Sequence, residues 1–286
     1  MALNETPTVD ELVPDRIGRQ LSPAYMWALV GVFAALHFVV SMIPFSVAVG
    51  AEGVITLGMI TGAICGFLLG PFYGGAAVLT GSLLLGLVNP ASMVIGPLTP
   101  LATVTGAVSA GSFRTGRVYV PALVYLVTIV LFLLGPGGPQ GIIVVWFHVA
   151  GLALACLLLL RVVSARIHRQ WSAKSGHGAE FFASVWMGAF LAVMNDHIVG
   201  LTAFIYYYHY IVGLDSNVIG GILVGIALVY PIERLLVSLI AAMILVPVII
   251  AVQRGGLPMP NWDRRVETSD SQSHQGLPAD IKHFSS

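Results

Sequence analysis

VWMGAFLAVMNDHIVGLTAFIYYYHY, residues Val185 to Tyr210, is long and apolar enough to cross a lipid bilayer, yet it carries Asn195, Asp196 and His197 near its middle. An ionisable side chain at membrane depth costs about 2.5–3.5 kcal/mol on insertion scales and rarely faces lipid. We therefore expect the acidic side chain of this segment to face the protein interior, a partner or a water-filled cavity.

The spacing of small residues around Asp196 supports an inward orientation. Gly188, Ala192 and Gly200 lie at intervals of four residues from it and therefore share its helix face. Small residues on a helix face allow a neighbouring helix to approach closely. Two interpretations follow: a structural acid that is hydrogen-bonded to the neighbouring helix, or an acid that binds a ligand.

The composition assigns the chain to the helical membrane proteins. Of 286 residues, 57% are hydrophobic and 9% are charged, and the mean hydropathy is +0.91. Soluble domains carry about 25% charged residues. We predict an all-α fold, a polytopic bundle of membrane-spanning helices. The formal net charge is zero, so no nucleic-acid partner is expected.

Apolar runs of the length needed to cross the hydrocarbon core predict about eight spans. Val218 to Tyr230 is apolar but short, and we interpret it as an outer-face or re-entrant helix. Polar loops, often containing Gly or Pro, separate the other runs. The predicted spans are approximately 25–44, 54–69, 74–88, 95–113, 119–134, 142–163, 181–210 and 235–252.

Loop charges predict the orientation. Basic clusters precede the first span, separate the fourth from the fifth and the sixth from the seventh, and follow the eighth. The positive-inside rule then places both termini in the cytoplasm of a multi-pass cell-membrane protein. The expected organisation is a cytoplasmic N-terminal tail (1–21), a transmembrane helical domain (22–254) and a disordered cytoplasmic C-terminal tail (255–286).

Polar and aromatic residues at membrane depth or near the outer face are the candidate substrate-binding residues. Arg234 is expected to reach Asp196 or Asp215, rather than to pair simply with the adjacent Glu233. The alternatives are a helix-start ion-pair network, structural histidines and an interfacial aromatic belt. The full candidate set is Asn195, Asp196, His197, Tyr207, Glu233, Arg234 and His148.

A glycine face marks the second span and predicts tight helix packing. Gly58, Gly62, Gly66 and Gly70 are spaced by four residues. With the third span, this segment is predicted to form a closely packed helical hairpin.

Motifs for catalysis and cofactor binding are missing. The sequence contains no GxxxxGK[ST], HExxH, GxSxG or CxxC pattern. We expect no catalytic residue, metal site or cofactor, and no nucleotide hydrolysis by this chain itself. An intramembrane enzyme is a lesser alternative, and it needs Asp196, His197 and His148 to converge within hydrogen-bond reach.

Several stretches resemble a known family. They are ALVGVFAALHFVVSMIP (28–44), GFLLGPFYGGAAVLTGSLLLGLVNP (66–90), MNDHIVG (194–200) and VYPIERLLVSLIAAMILVP (229–247). Together they are similar to the substrate-binding S components of energy-coupling factor (ECF) transporters. The LLGPFYGGAAVLTG hairpin and the YPIERLL segment carry most of the likeness.

The resemblance implies a membrane protein that captures a vitamin-like small molecule from outside. Such a protein delivers its ligand while docked on a transmembrane T component and two ATPase subunits. The first outer loop, here 46–53, covers the ligand in that family. The first helix docks through a small-residue face, matched here by Ala24, Ala28, Gly31 and Ala35. Packing of this face inside the same chain is the alternative.

The chain also departs from the family. S components usually have about six helices, so the fifth and sixth spans look inserted. The relatives that take up cobalt or nickel use a histidine at the extreme N-terminus, whereas this chain begins Met-Ala-Leu-Asn, which disfavours a metal substrate. The second functional hypothesis is an accessory membrane subunit without transport activity, and an independent channel or carrier is a further one.

Overall fold

Apolar runs interrupted by glycine, proline and short polar turns fold into a helical bundle in the computed structural model of the protein, which describes residues 21–47, 54–160, 163, 167 and 178–255. Two short antiparallel strands, β1 (Pro44–Val47) and β2 (Val54–Thr56), follow the first helix. The helices are α1 (Pro23–Ser41), α2 (Gly58–Val88), α3 (Thr99–Arg114), α4 (Tyr119–Leu134), α5 (Val145–Leu159), α6 (Ala179–Tyr207), α7 (Ser216–Ile226) and α8 (Val229–Arg254).

Helix α2 reverses direction at Gly70. The φ angle of this residue is 83°, a left-handed backbone conformation that favours glycine. The imidazole of His37 hydrogen-bonds both to Thr61 Oγ1 (2.7 Å) and to Ser82 Oγ (2.9 Å), so the two arms of α2 lie side by side. The predicted helical hairpin is confirmed.

The glycine face of the first α2 arm packs against α3. A Cβ added at Gly62 would lie 2.7 Å from Thr103 Cγ2, and one at Gly66 would overlap the backbone of Ala107. At the reversal, Gly111 lies against Pro71. The predicted packing role of these glycines is confirmed, because side chains at these positions would separate the two helices.

Contacts between helices give their relative directions. Helix α8 is antiparallel to α6, because the Tyr230 ring lies 4.8 Å from the His197 ring while Trp186 Nε1 donates to Ser238 Oγ (3.1 Å). The contacts of α3 and α4 with α6 show that α3 is antiparallel to α6 and α4 is parallel to it. One end of the bundle holds β1, β2, residues 89–98, residues 135–141 and α7, and we name it the hairpin end.

Several helices have the length and composition of membrane spans. Five helical stretches in the described part of the chain are long and apolar enough to cross a membrane: Pro23–Ser41, Gly58–Val88, Ile142–Leu159, Ala179–Tyr210 and Val229–Arg254. Many large apolar side chains are exposed on the outside of the bundle, as lipid-facing positions require. The chain is a helical membrane protein, and the count of eight crossings stays a prediction.

The structure differs from the sequence-based expectation at two boundaries. Strand β1 extends from residue 44 into the loop predicted at 46–53, β2 takes up the first residues of the span predicted at 54–69, and α8 begins at Val229 rather than near Leu235. Proline is tolerated in the first helical turn, where its missing N–H has no intrahelical partner, so Pro231 does not delay the helix start. Helix α7 has 11 residues, and the predicted terminal tails lie outside the described residues except for 21 and 255.

Candidate functional site

A partly open cavity of about 170 Å³ lies at the hairpin end of the bundle. Helices α2, α3, α6, α7 and α8 surround it, together with residue 56 of β2 and the segment before α3. Its lining combines two formal charges, an imidazole, hydroxyl groups and apolar side chains. The lining residues are Thr56, Met59, Ser92, Val94, Ile95, Thr99, Ala102, Thr103, Asp196, His197, Gly200, Leu201, Phe204, Ile222, Ile226, Tyr230 and Arg234.

Asp196 lines this cavity from the middle of α6. Its side chain is hydrogen-bonded by Thr103 of α3, and only 7% of the residue is exposed. Gly106 permits the close approach of the two helices, since a Cβ added there would lie 3.1 Å from Asp196 Cβ. The small-residue face predicted around Asp196 therefore packs on α3 and directs the carboxylate inward.

Arg234 lines the cavity from the start of α8 and is 3% exposed. Its Nη1 donates to the Met59 thioether (2.7 Å), its Nη2 lies 3.9 Å from Glu233 Oε2, and its guanidinium carbon lies 5.3 Å from the Tyr230 ring centroid. Thioether sulfur is a weak acceptor. Among the described residues, Arg234 Nε has no hydrogen-bond partner.

The predicted partners of Arg234 are corrected. Within the described chain it forms no ion pair with Asp196 or Asp215, and its acidic neighbour is Glu233. Both side chains are long enough to meet beside the first turns of α8 despite their different helix faces. Asp215 instead accepts a hydrogen bond from the Asn217 backbone N–H (2.8 Å) and caps α7.

A row of buried rings extends from the cavity into the bundle. The His197 ring stands 4.8 Å from Tyr230 and 5.0 Å from His148, which in turn stands 6.1 Å from Tyr125. Neither ring nitrogen of His197 has a hydrogen-bond partner among the described residues. His148 therefore lies behind His197 rather than on the cavity surface.

The candidate substrate-binding residues are only partly brought together. Asp196, His197 and Arg234 line the cavity. Asn195, the chain neighbour of Asp196, faces another side of α6, where its Nδ2 donates to the Leu191 carbonyl (3.1 Å).

The other three candidates lie outside the cavity lining. Tyr207 packs against Gly96, whose added Cβ would lie 2.8 Å from the tyrosine hydroxyl. Glu233 sits beside Arg234, and His148 is in the ring row. The enzyme alternative requires Asp196, His197 and His148 to lie within hydrogen-bond reach of one another. Among the described residues, these three side chains form no hydrogen bonds with one another.

Sequence reasoning missed the hydroxyl side of the cavity. Thr103 and Thr99 are four residues apart and share a face of α3, which is the one sequence signal that pointed to them. Thr56 and Ser92 reach the cavity from separate segments at the hairpin end. A smaller neighbouring cavity of about 40 Å³ shares these four residues and extends to His37.

The candidate docking face on α1 is exposed. All four residues, Ala24, Ala28, Gly31 and Ala35, lie on the outside of the bundle, and a Cβ added at Gly31 would meet no atom within 4 Å. The opposite face of α1 carries the buried residues, including Met26, Val30 and Ala34. Within the part of the chain that the structure describes, the small-residue face is therefore not packed against other elements.

No group of three or more His, Cys, Asp or Glu side chains in the described parts of the chain is arranged to hold a metal ion. The cavity presents a carboxylate, a guanidinium, an imidazole and several hydroxyls within an apolar wall, a combination suited to binding a small polar molecule.

Comparisons with known proteins give one distant relative. The chain is 29% identical over 147 residues to an uncharacterized protein of Methanocaldococcus jannaschii, and the matched region covers 51% of this chain and 47% of the relative. The match thus spans about half the length of each protein. No protein-family model matches the chain, and no solved structure matches it.

Proposed function

We propose that this protein is the substrate-capture subunit of an ECF-type importer, which binds a vitamin-like small molecule from outside the cell and delivers it through an ATPase-driven module. The observation that carries the proposal is the charged cavity at the hairpin end. A membrane protein places buried charges at such depth at a cost, and their usual role is to bind or move a polar solute.

The position of the cavity supports capture from one side of the membrane. Its lining includes Thr56, Ser92 and Ile95 from the non-helical segments at the hairpin end, and Ile222 of the short helix α7. With the proposed eight crossings and both termini in the cytoplasm, this end faces outward. Loops over a binding cavity are positioned to admit and cover a ligand.

The exposed face of α1 supports the proposed partners. Ala28 and Gly31 offer a flat, small surface to which another membrane helix can pack closely. A T component with two ATPases would supply the energy for delivery, because the sequence contains no nucleotide-binding loop.

The test is identification of a bound molecule followed by reconstituted uptake. The full chain is purified in mild detergent, and native mass spectrometry identifies any co-purifying small molecule. That compound is then offered to proteoliposomes containing the chain with a T component and two ATPases encoded in the same genome. ATP-dependent uptake that requires this chain is the expected result.

Stable association with other membrane proteins, without a bound small molecule or uptake, would overturn the proposal. That outcome would favour the second function, an accessory subunit of a larger complex. The exposed small-residue face of α1 fits that alternative equally well, whereas the charged cavity has no role in it.

A further inference from the structure

We propose that the cavity binds a small zwitterion, a molecule carrying one ammonium-type and one carboxylate-type group, held between Asp196 and Arg234. This inference rests on the proposed capture function of the same cavity and adds the chemical class of its ligand.

The first step is the separation of the two charges. Asp196 on α6 and Arg234 on α8 line one cavity, yet in the described chain they form no ion pair within 4.0 Å. Opposite charges that share a low-dielectric space attract strongly. Two opposite charges that line one cavity without pairing are both available to a ligand.

The second step is the unmet hydrogen-bonding capacity of the guanidinium. Arg234 has five N–H donors, and its one hydrogen bond among the described residues goes to the Met59 thioether. Its 3.9 Å separation from Glu233 exceeds the roughly 2.7–2.9 Å of a charge-assisted hydrogen bond. A carboxylate accepts two parallel hydrogen bonds from arginine and would supply the missing acceptors.

The third step concerns the acidic group of the cavity, Asp196. The Asp196 carboxylate accepts from Thr103 and retains lone pairs for a further donor. An ammonium group placed there would gain a charge-assisted hydrogen bond and would neutralise a buried negative charge.

Charge balance selects the zwitterion over singly charged ligands. Arg234, Asp196 and the neighbouring Glu233 carry one positive and two negative formal charges. A simple anion would add a negative charge beside two carboxylates, and a simple cation would leave the guanidinium without acceptors. A zwitterion offers a carboxylate to Arg234 and an ammonium group to Asp196, and it leaves the net charge of the cavity unchanged.

The volume limits the size of the ligand. An apolar cavity of about 150 Å³ takes up benzene, and this cavity measures about 170 Å³. A ligand of about six to eight non-hydrogen atoms is therefore expected, with its apolar part against Leu201, Phe204 and Ile222.

The experiment compares probes that share a carbon chain and carry both charged groups or only one of them. Glycine, β-alanine, 4-aminobutyrate and 5-aminopentanoate are titrated calorimetrically into the full chain in detergent, beside acetate, propionate, butyrate, pentanoate and the corresponding n-alkylamines. At least one amino acid is expected to bind at least tenfold more tightly than its matched acid and its matched amine. If no amino acid exceeds both matched ions, including the case of no binding at all, the inference is wrong.

Two variants assign the ends of the probe. Arg234→Gln should lower the affinity of the best amino acid to that of the matched amine, and Asp196→Asn should lower it to that of the matched acid. Thermal melts identify a variant that fails to fold, in which case the other variant provides the test. Unchanged amino-acid affinity in a folded variant of either residue would overturn the inference.

Failure here and failure of the proposed function are separable. Probe binding to the isolated chain requires no transport partner, so a zwitterion that binds without reconstituted uptake would leave this inference standing alone. ATP-dependent uptake of a compound that is not a zwitterion would support the proposed function and overturn the zwitterion inference.

Discussion

Asp196 of α6 and Arg234 of α8 line the same cavity but form no ion pair with each other in the described chain. Each is instead held by a neighbour, Asp196 by Thr103 and Arg234 by Met59. The two helices bring both side chains to one cavity, and the bundle thereby keeps two charges available beside apolar residues. The first prediction concerns the acidic member of this pair.

Asp196→Asn should weaken binding of the ligand identified by native mass spectrometry by about 1.5–3 kcal/mol, the usual worth of a hydrogen bond to a charged group. The substitution preserves volume and removes the charge, so the melting temperature should change little. Calorimetric titration and a thermal melt measure the two effects. Asp215→Asn removes a carboxylate outside the cavity and should leave affinity unchanged. Unaltered affinity with a large fall in melting temperature would make Asp196 structural.

Bulk on the exposed face of α1 should block partner docking. Ala28→Trp or Gly31→Trp is expected to abolish co-purification with the T component while ligand affinity is retained, because close helix approach needs small residues. Leu36→Trp, an already large and 45% exposed residue at the edge of this face, is the control that should still dock. Equal docking by all three variants would place the interface elsewhere.

A side chain at Gly66 should separate α2 from α3. Gly66→Ala places a Cβ against the backbone of Ala107, and overpacking of this kind costs about 1–3 kcal/mol. Gly225 lies in α7 with nothing within 4 Å of an added Cβ. Gly225→Ala should therefore be neutral or stabilising through helix propensity. Thermal melts in detergent compare the pair, and equal stability would contradict the observed packing.

His37 should be a structural residue that binds α1 to both arms of α2. His37→Leu removes its hydrogen bonds to Thr61 and Ser82, each worth about 0.6 kcal/mol on average in a membrane protein. The melting temperature should fall while ligand affinity in the larger cavity stays the same. A selective loss of affinity would instead connect the smaller cavity to binding.

Single cysteines test the orientation. In a chain with Cys65 and Cys156 replaced by alanine, Asn217→Cys at the hairpin end should react with an impermeant reagent added outside intact cells. Arg117→Cys, exposed in the turn between α3 and α4, should be shielded, because its basic surroundings belong on the cytoplasmic side. The reverse labelling pattern would invert the proposed topology and turn the cavity toward the cytoplasm.

Helix positions were largely predictable because apolar periodicity and length are local properties. The run predicted at 119–134 coincides with α4, and the predicted glycine hairpin is the reversal of α2 at Gly70. Helix α8 begins before the span predicted at 235–252, because Pro231 lies in the first turn, which accommodates proline.

Residues of the candidate site could be predicted only where a charged or polar side chain interrupts an apolar run of the sequence. Asp196, His197 and Arg234 stand out as polar groups in apolar runs, and all three line the cavity. Asn195 and Tyr207 are equally unusual in sequence and face elsewhere. Threonine and serine are ordinary in membrane helices, so the spacing of Thr99 and Thr103 was only a weak signal, and nothing in the sequence distinguished Ser92.

The sequence by itself determined that this is a helical membrane protein, where α2 turns back and which side chains carry buried charge, because composition, periodicity and glycine spacing act within one segment. Only the tertiary structure decided that the Arg234 guanidinium contacts Met59 and Glu233 and forms no ion pair with Asp196 in the described chain. It also decided that His148 stands behind His197. Those relationships depend on the rotation and depth at which separate helices pack, and these are fixed by contacts between residues far apart in the chain.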